Sequence, residues 1–411
     1  MFRRLITLVF CVCGSIAVSC AQGAAVADSV FSNNEGRGVL ADSSAGVLDR
    51  VVGWAECIFD ALTIEREGWS LALYPAGSYS GRQGFAVGVM PMVQFYSAAL
   101  PRAATVTPTV LVSTKKMFEV QCDVDLFLPR GWDVTAKFET FRQPDDLYAV
   151  GNEKHKSALC EYDFRRTLFT MDVLKGIGTG SGRWQVGPSV DVDHYSFSNI
   201  CVADSAFLGE VEELIGSGSG ANYGLGGVLG LDTRDDVLFP RSGWLVRVKG
   251  LYYVRLAGRG HRFGSVSLDV RRYVPLAFGS VLAWQAYGSV VWDGDEDALL
   301  GVGVPFVKMP SCGGSRLGRA IGHNLKYVDR GAWLVQGEWR VPLFWRLGAT
   351  GFVGCGNVCG GLADCFRMPH FMGGVGLRFA VFPGKGLNLR LDGGVSSRGD
   401  RAIYFNVREA F

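Results

Sequence analysis

From Trp69 to Phe411 apolar and polar residues alternate with period two, the mark of strands that present one face to an apolar medium and one to a polar medium. Helix-period patterning is nearly missing there. Phe118, Val120, Cys122, Val124 and Leu126 face one way while Glu119, Gln121, Asp123 and Asp125 face the other. Leu387, Leu389 and Leu391 alternate with Asn388, Arg390 and Asp392, and Trp333, Val335, Trp339 and Val341 with Gln336, Glu338 and Arg340. The polar faces are repeatedly charged. A soluble sandwich also alternates, but its strands run to about five or six residues, and many segments here reach ten or more. A transmembrane barrel accounts for the length, the lipid-facing apolar side and the polar lumen.

Sixteen candidate strands lie at about 68–76, 84–96, 105–114, 117–128, 132–142, 157–174, 182–198, 222–232, 243–256, 261–273, 279–292, 330–341, 346–356, 370–382, 386–396 and 401–411. The even number suits a bacterial barrel. Connections read as periplasmic are short: Lys115-Lys116, Leu276-Ala277-Phe278, Leu343-Phe344-Trp345 and Pro383-Gly384-Lys385. Those read as extracellular are long, at 143–156, 199–221, 293–329 and 357–369. The connection at 293–329 is too long for a simple turn and is expected to fold partly into the lumen. The fold class is therefore all-β, a 16-stranded antiparallel transmembrane β-barrel with a short N-terminal periplasmic helix.

Met1-Phe2-Arg3-Arg4 and the apolar stretch from Leu5 to Val18 read as a secretory signal cleaved after Ala21 or Ala27. Beyond it no run of eighteen apolar residues offers a helical membrane span. Ser43 or Ser44 caps a helix with Val47, Leu48, Val51, Trp54, Ile58 and Leu62 on its apolar face. It reads first as an interfacial helix on the inner leaflet, and alternatively as a periplasmic plug or docking helix. The domain plan is a signal peptide over 1–27, a periplasmic extension over 28–67 and the barrel over 68–411. Lys and Arg total 41 against 39 Asp and Glu, a net charge of +2 with no basic block, which argues against nucleic acid as a partner. The 56 Gly and 12% aromatics, with only 14 Pro, fit neither a collagen-like nor a disordered chain.

Several strings resemble the bacterial surface antigen (D15) barrel of the BamA/TamA, or Omp85, family. Asp232-Thr233-Arg234-Asp235, then Phe239-Pro240 and Ser242-Gly243-Trp244, is similar to its D-T-R-D…P-x-x-G-W signature, here at a periplasmic turn. Tyr79–Gly84 and Tyr148–Asn152 resemble strings of its first hairpin and of the loop after its fifth strand. Gly313–Asp329 with Glu338-Trp339-Arg340-Val341-Pro342 resembles its sixth extracellular loop and twelfth strand, and Tyr404–Phe411, with Phe405, Val407 and Phe411, resembles a C-terminal assembly signal. The resemblance covers 69–411. It implies an outer-membrane barrel with its N-terminus in the periplasm, taking part in membrane assembly or in translocation of protein or lipid by opening the seam between first and last strands. The partners it implies are outer-membrane lipid, the barrel-assembly machinery during biogenesis, and a periplasmic partner supplying substrate.

The departures bear on function. The family's loop-six arginine meets acidic groups in the lumen; here Arg319 takes its place, but the aspartate of the thirteenth strand is replaced by Gly354. An unpaired buried guanidinium is costly, so Arg319 either finds another carboxylate, Glu338 first, beside Arg340, or reaches water in an open lumen. Positions 28–67 are too few for the family's periplasmic helper domains, which leaves a passive channel or structural barrel as the alternative function.

No Gly-x-Ser-x-Gly elbow, phosphate loop or His-Glu-x-x-His is present, so neither enzymatic activity nor a cofactor is expected. Cys359 and Cys365 share one extracellular loop of an exported chain, which makes them candidates for a short-loop disulfide or two free thiols. Their spacing with Cys355 and His370 matches no standard metal site, and no metal is assigned.

Overall fold

The computed structural model describes residues 62–80, 84–97, 103–152, 158–177, 183–216, 218–256, 260–293, 303–361, 363–382, 387–407 and 409–411. The signal segment, residues 43–61 of the expected helix and residues 81–83 of the Tyr79–Gly84 string lie outside the described residues. The chain divides between Tyr74 and Pro75 into two compact units. In the first, β1 (Thr63–Arg66) pairs antiparallel with the start of β2 (Trp69–Ser80), Thr63 opposite Ala72 and Arg66 opposite Trp69.

The second unit holds the rest of β2 and then β3 (Gly84–Phe95), β4 (Ala104–Ser113), β5 (Phe118–Leu128), β6 (Trp132–Leu147), β7 (Cys160–Ile177), β8 (Arg183–Val202), β9 (Ser219–Asp232), β10 (Gly243–Val254), β11 (Phe263–Pro275), β12 (Val281–Asp293), β13 (Gly331–Pro342), β14 (Leu347–Cys359), β15 (His370–Phe382), β16 (Leu387–Ser396) and β17 (Arg401–Val407). Among the described residues all seventeen strands belong to one sheet. From β3 onward each pairs antiparallel with the next. The sixteen expected segments are β2 to β17. The short β1, with only Thr-Ile-Glu-Arg to alternate, is additional.

Three local differences stand out. Strand direction alternates along the meander, so the Lys115-Lys116 turn between β4 and β5 lies at the same end as the long connections, not with the short turns. The connection after β8 contains a helix, α1 (Leu208–Ile215), whose Val211 and Ile215 are buried; two turns are too few for a helical period to show against the strands around it. The last strand stops at Val407 rather than running to Phe411.

Burial follows the alternation, but with the polarity of a water-soluble protein reversed. On β13 Gln336, Glu338 and Arg340 are buried, whereas Val335 is 49% and Trp339 54% exposed. Phe85, Val87, Leu225, Leu229, Val353, Val375 and Ile403 are likewise exposed. Asp133, Asp172, Asp191, Asp193, Arg378, Arg390 and Asp392 are buried. Water would favour the opposite arrangement, and a lipid surround favours this one. Among the described residues no helix is long and apolar enough to cross a membrane.

Residues 303–330, between β12 and β13, occupy the inner side of the sheet. They fold back as a hairpin, Cys312 N donating to Tyr327 O at 3.0 Å and Asp329 N to Pro310 O at 3.2 Å, with the tip at α2 (Gly314–Leu317). One flank packs Phe306, Val307 and Val328 against Leu147, Phe164 and Phe197 of β6, β7 and β8. The other packs Cys312, Ala320, Ile321 and Tyr327 against Leu334 of β13, Val358 of β14 and Met372 of β15. One segment touches strands so far apart in the sheet only because the sheet curls around it.

Candidate functional site in the interior

Glu338 and Arg340 are inward-facing on β13 because they occupy the same parity as Gln336 and Leu334. Arg319 comes down from above. Its turn is held by Ile321 N donating to Gly318 O at 2.7 Å, and by the Tyr404 hydroxyl of β17 donating to Ile321 O at 2.6 Å. The side chain is 0% exposed, and its Nη1 donates to Glu338 Oε2 at 2.7 Å and to Asp392 Oδ2 at 3.3 Å. The guanidinium lies 3.9 Å from the Phe352 ring centre, a contact worth more when water is absent.

Around this pair a lattice of charges spreads over β13, β15 and β16. Arg340 Nε donates to Glu338 Oε1 at 2.5 Å, so one carboxylate holds two guanidiniums. Arg378 of β15 donates through Nη1 to Asp392 Oδ1 at 2.6 Å and through Nε to Glu409 at 2.8 Å. Arg390 Nε stands 3.5 Å from Asp392, and its Nη2 donates to Ser315 O at 2.9 Å, tying β16 to the hairpin tip. The second carboxylate facing Arg319 thus comes from β16, not from Gly354 on β14. Gly376 makes room for it: a Cβ there would lie 2.1 Å from Asp392 Oδ1 and 2.6 Å from Arg378 Nη1. The signal was present in the sequence as the charged side of Asn388, Arg390 and Asp392, but nothing local named Arg319 as the partner.

The turn between β9 and β10 joins the same lattice. Asp232 accepts Arg234 Nε at 3.0 Å and Nη2 at 3.1 Å, Thr233 N donates to Trp244 O at 2.8 Å, and Asp235 accepts the amides of Arg241 and Ser242 at 2.9 and 3.1 Å. Gly243 has φ 102°, and a Cβ would fall 2.2 Å from Thr233 O, so the position is closed to other residues. Pro240 O accepts Arg340 Nη1 at 3.2 Å.

Of the expected C-terminal signal, Phe405 is half-buried on β17 and Val407 is the last residue of that strand. Phe411 leaves the strand altogether and is 4% exposed, its carbonyl oxygen accepting Arg340 Nη2 at 2.8 Å.

At the long-loop end Cys359 and Cys365 are joined by a disulfide. Trp333 Nε1 and Asn357 Nδ2 donate to Cys365 O at 2.7 and 3.0 Å. Asn152, last of the Tyr148–Asn152 string, donates to Met368 O at 3.0 Å and bonds His370, while Gly151 N donates to Val328 O at 2.8 Å. The hairpin is further anchored by Lys308 on Asp191 at 2.5 Å and Asp193 at 3.2 Å, by Lys326 on Asp400 and by His323 on Asp145. Burial alone would push the His323 imidazole down, but Asp145, aided by Asp146, holds it above its ordinary value against Lys326.

Fold and interior together define a class: a large antiparallel sheet curled about an inserted hairpin, charged inside and apolar outside, the arrangement of a β-barrel membrane protein. No family model and no curated protein matches the chain. Among solved structures it is similar to BamA from Haemophilus ducreyi lacking POTRA domains 1–3, at 12% identity and TM-score 0.50, covering 82% of this chain and 69% of that one. It also matches CdiB from Acinetobacter baumannii at 10% identity and TM-score 0.49, covering 84% of this chain and 60% of that one.

Proposed function

We propose that the chain is a closed, sixteen-stranded outer-membrane barrel of the Omp85 type, β2 to β17, with its short turns in the periplasm, taking part in outer-membrane assembly or translocation of protein or lipid. The observation that carries this is the filled interior. A passive channel needs an open lumen, whereas here the hairpin of 303–330 runs inward and ends at the buried Arg319, Glu338 and Asp392. Closure is supported at Gly77 of β2, where a Cβ would lie 3.3 Å from both the Ala86 carbonyl oxygen of β3 and the Phe405 ring of β17. In this reading Arg319, Glu338 and Arg340 form a lock that holds the hairpin while the seam between β2 and β17 yields, and β17 is the shorter partner of that seam. Outer-membrane lipid, the assembly machinery and a periplasmic partner that delivers substrate are the partners it calls for. Gly354 in place of the family's aspartate supports the second reading, a passive or structural barrel. Depletion followed by outer-membrane proteomics, with single-channel recording of the purified protein, separates the two. Selective loss of one class of surface protein or lipid with little conductance is the expected result; unchanged membrane composition with steady large conductance would refute it.

A further inference from the structure

Ile403 is exposed on the outer face of β17, while Ala402 and the hydroxyl of Tyr404 face inward. If the strand kept its parity, Glu409 and Phe411 would follow Ile403 to the outer, apolar side. A carboxylate there would be desolvated without a partner. Instead the chain turns in. The Glu409 carboxylate accepts Arg378 Nε at 2.8 Å and Asn388 Nδ2 at 3.0 Å, so β15 and β16 hold it. Two residues on, Phe411 O accepts Arg340 Nη2 of β13, and Ala410 O accepts Arg316 Nε of the hairpin tip at 3.4 Å. The Phe411 ring lies 5.8 Å from the Arg319 guanidinium and 5.9 Å from that of Arg340. Ala410 and Phe411 pack with Tyr273, Val281 and Ala283 of β11 and β12. Three residues therefore cross the inner side at the short-turn end, from the last strand toward β12, directly against the hairpin tip.

We propose that Glu409–Phe411 are an intrachain latch: a built-in ligand that closes the interior at its short-turn end and secures the hairpin tip to the last strand. Its hydrogen bonds run to Arg378, Asn388 and Arg340 on the inner face and to Arg316 of the hairpin, so movement of the tip or of β17 strains it. The latch rests on the barrel reading above, but not on the assembly role. Its release opens a path that the hairpin alone does not seal.

The test is single-channel recording of the full chain in planar bilayers, wild type against E409A/F411A, each checked for heat-modifiable migration. The double variant should spend at least about tenfold more time in conducting states, the lower bound set by loss of one charge-assisted hydrogen bond, and F411W alone should keep the quiet traces of the wild type. A folded double variant with wild-type traces would overturn the latch. Should the double variant not fold, A283C/A410C decides: it should cross-link under oxidation, unlike either single-cysteine control, and stay closed until reduced. Failure to cross-link in a folded barrel places the tail elsewhere and overturns the proposal. Wild-type protein without heat-modifiable migration would defeat the barrel reading itself, a separate outcome.

Discussion

Arg319 and Asp392 are 73 positions apart in the chain, yet their side chains meet at 3.3 Å in a site closed to solvent. The contact explains how the hairpin keeps a buried guanidinium although Gly354 supplies no acid. It also shifts the anchor from β14 to β16, the strand paired with β17.

Removing one member of a buried ion pair leaves the other charge unpaired, at a cost of about 3–5 kcal/mol. Glu338→Gln should be the more damaging change, since Glu338 accepts from Arg319 at 2.7 Å and Arg340 at 2.5 Å. Asp392→Asn should cost less. The midpoint of the folded-to-unfolded band shift on heating ranks them, and an E338Q midpoint equal to wild type would show the lattice to be redundant.

How far the sequence reveals this molecule depends on how local each cause is. Alternation is local, and the sixteen strands were legible from it. The turn of Asp232–Gly243 was legible as a string because its bonds run among its own residues. The partners of Arg319 were only half legible: Glu338 was named from resemblance, whereas Asp392 reaches the site through curl of the sheet, which no spacing encodes. The inward turn of Glu409–Phe411 was missed for the same reason, its cause being Arg378, Asn388 and Arg340 on other strands. The helix α1 was too short to announce itself.

Gly243 is held at φ 102° with Thr233 O where a side chain would start. Gly243→Ala should therefore lose more than the about 1–2 kcal/mol that left-handed backbone costs an L residue, since the turn must also open. A Gly243→Ala protein with an unshifted heating midpoint would mean that the turn adapts freely.

His323 binds Asp145 and its imidazole is held above the ordinary value. A raised folded value means the contribution is complete below the unfolded histidine value, about 6.5, and is lost as pH rises through the folded one. The wild-type heating midpoint should fall as pH rises above that unfolded value, and His323→Gln should flatten that fall. Equal slopes for the two proteins would remove His323 as the cause.

Breaking the Cys359–Cys365 bond frees a loop with a sequence separation of 6, which the chain-entropy relation puts at about 2 kcal/mol. C359S/C365S should lose that much, and the loop's carbonyls should release Trp333 and Asn357, read as faster amide exchange over 363–368. Unchanged exchange there would show that the hydrogen bonds alone set the loop.

Cys312, in the hairpin, is buried against Ala320 and Ile321, and burial, with Cys355 adding, pushes its thiol up to about 12. Cys201, at the end of β8, is exposed. Because the thiolate is the reactive species, a maleimide applied to the folded protein at about pH 8 should modify Cys201 first and leave Cys312 intact, as read by peptide mass mapping. Denaturation should abolish the difference. Equal labelling of both thiols in the folded protein would mean that the hairpin leaves the interior often enough to expose its core, and the picture of a held hairpin would fail with it.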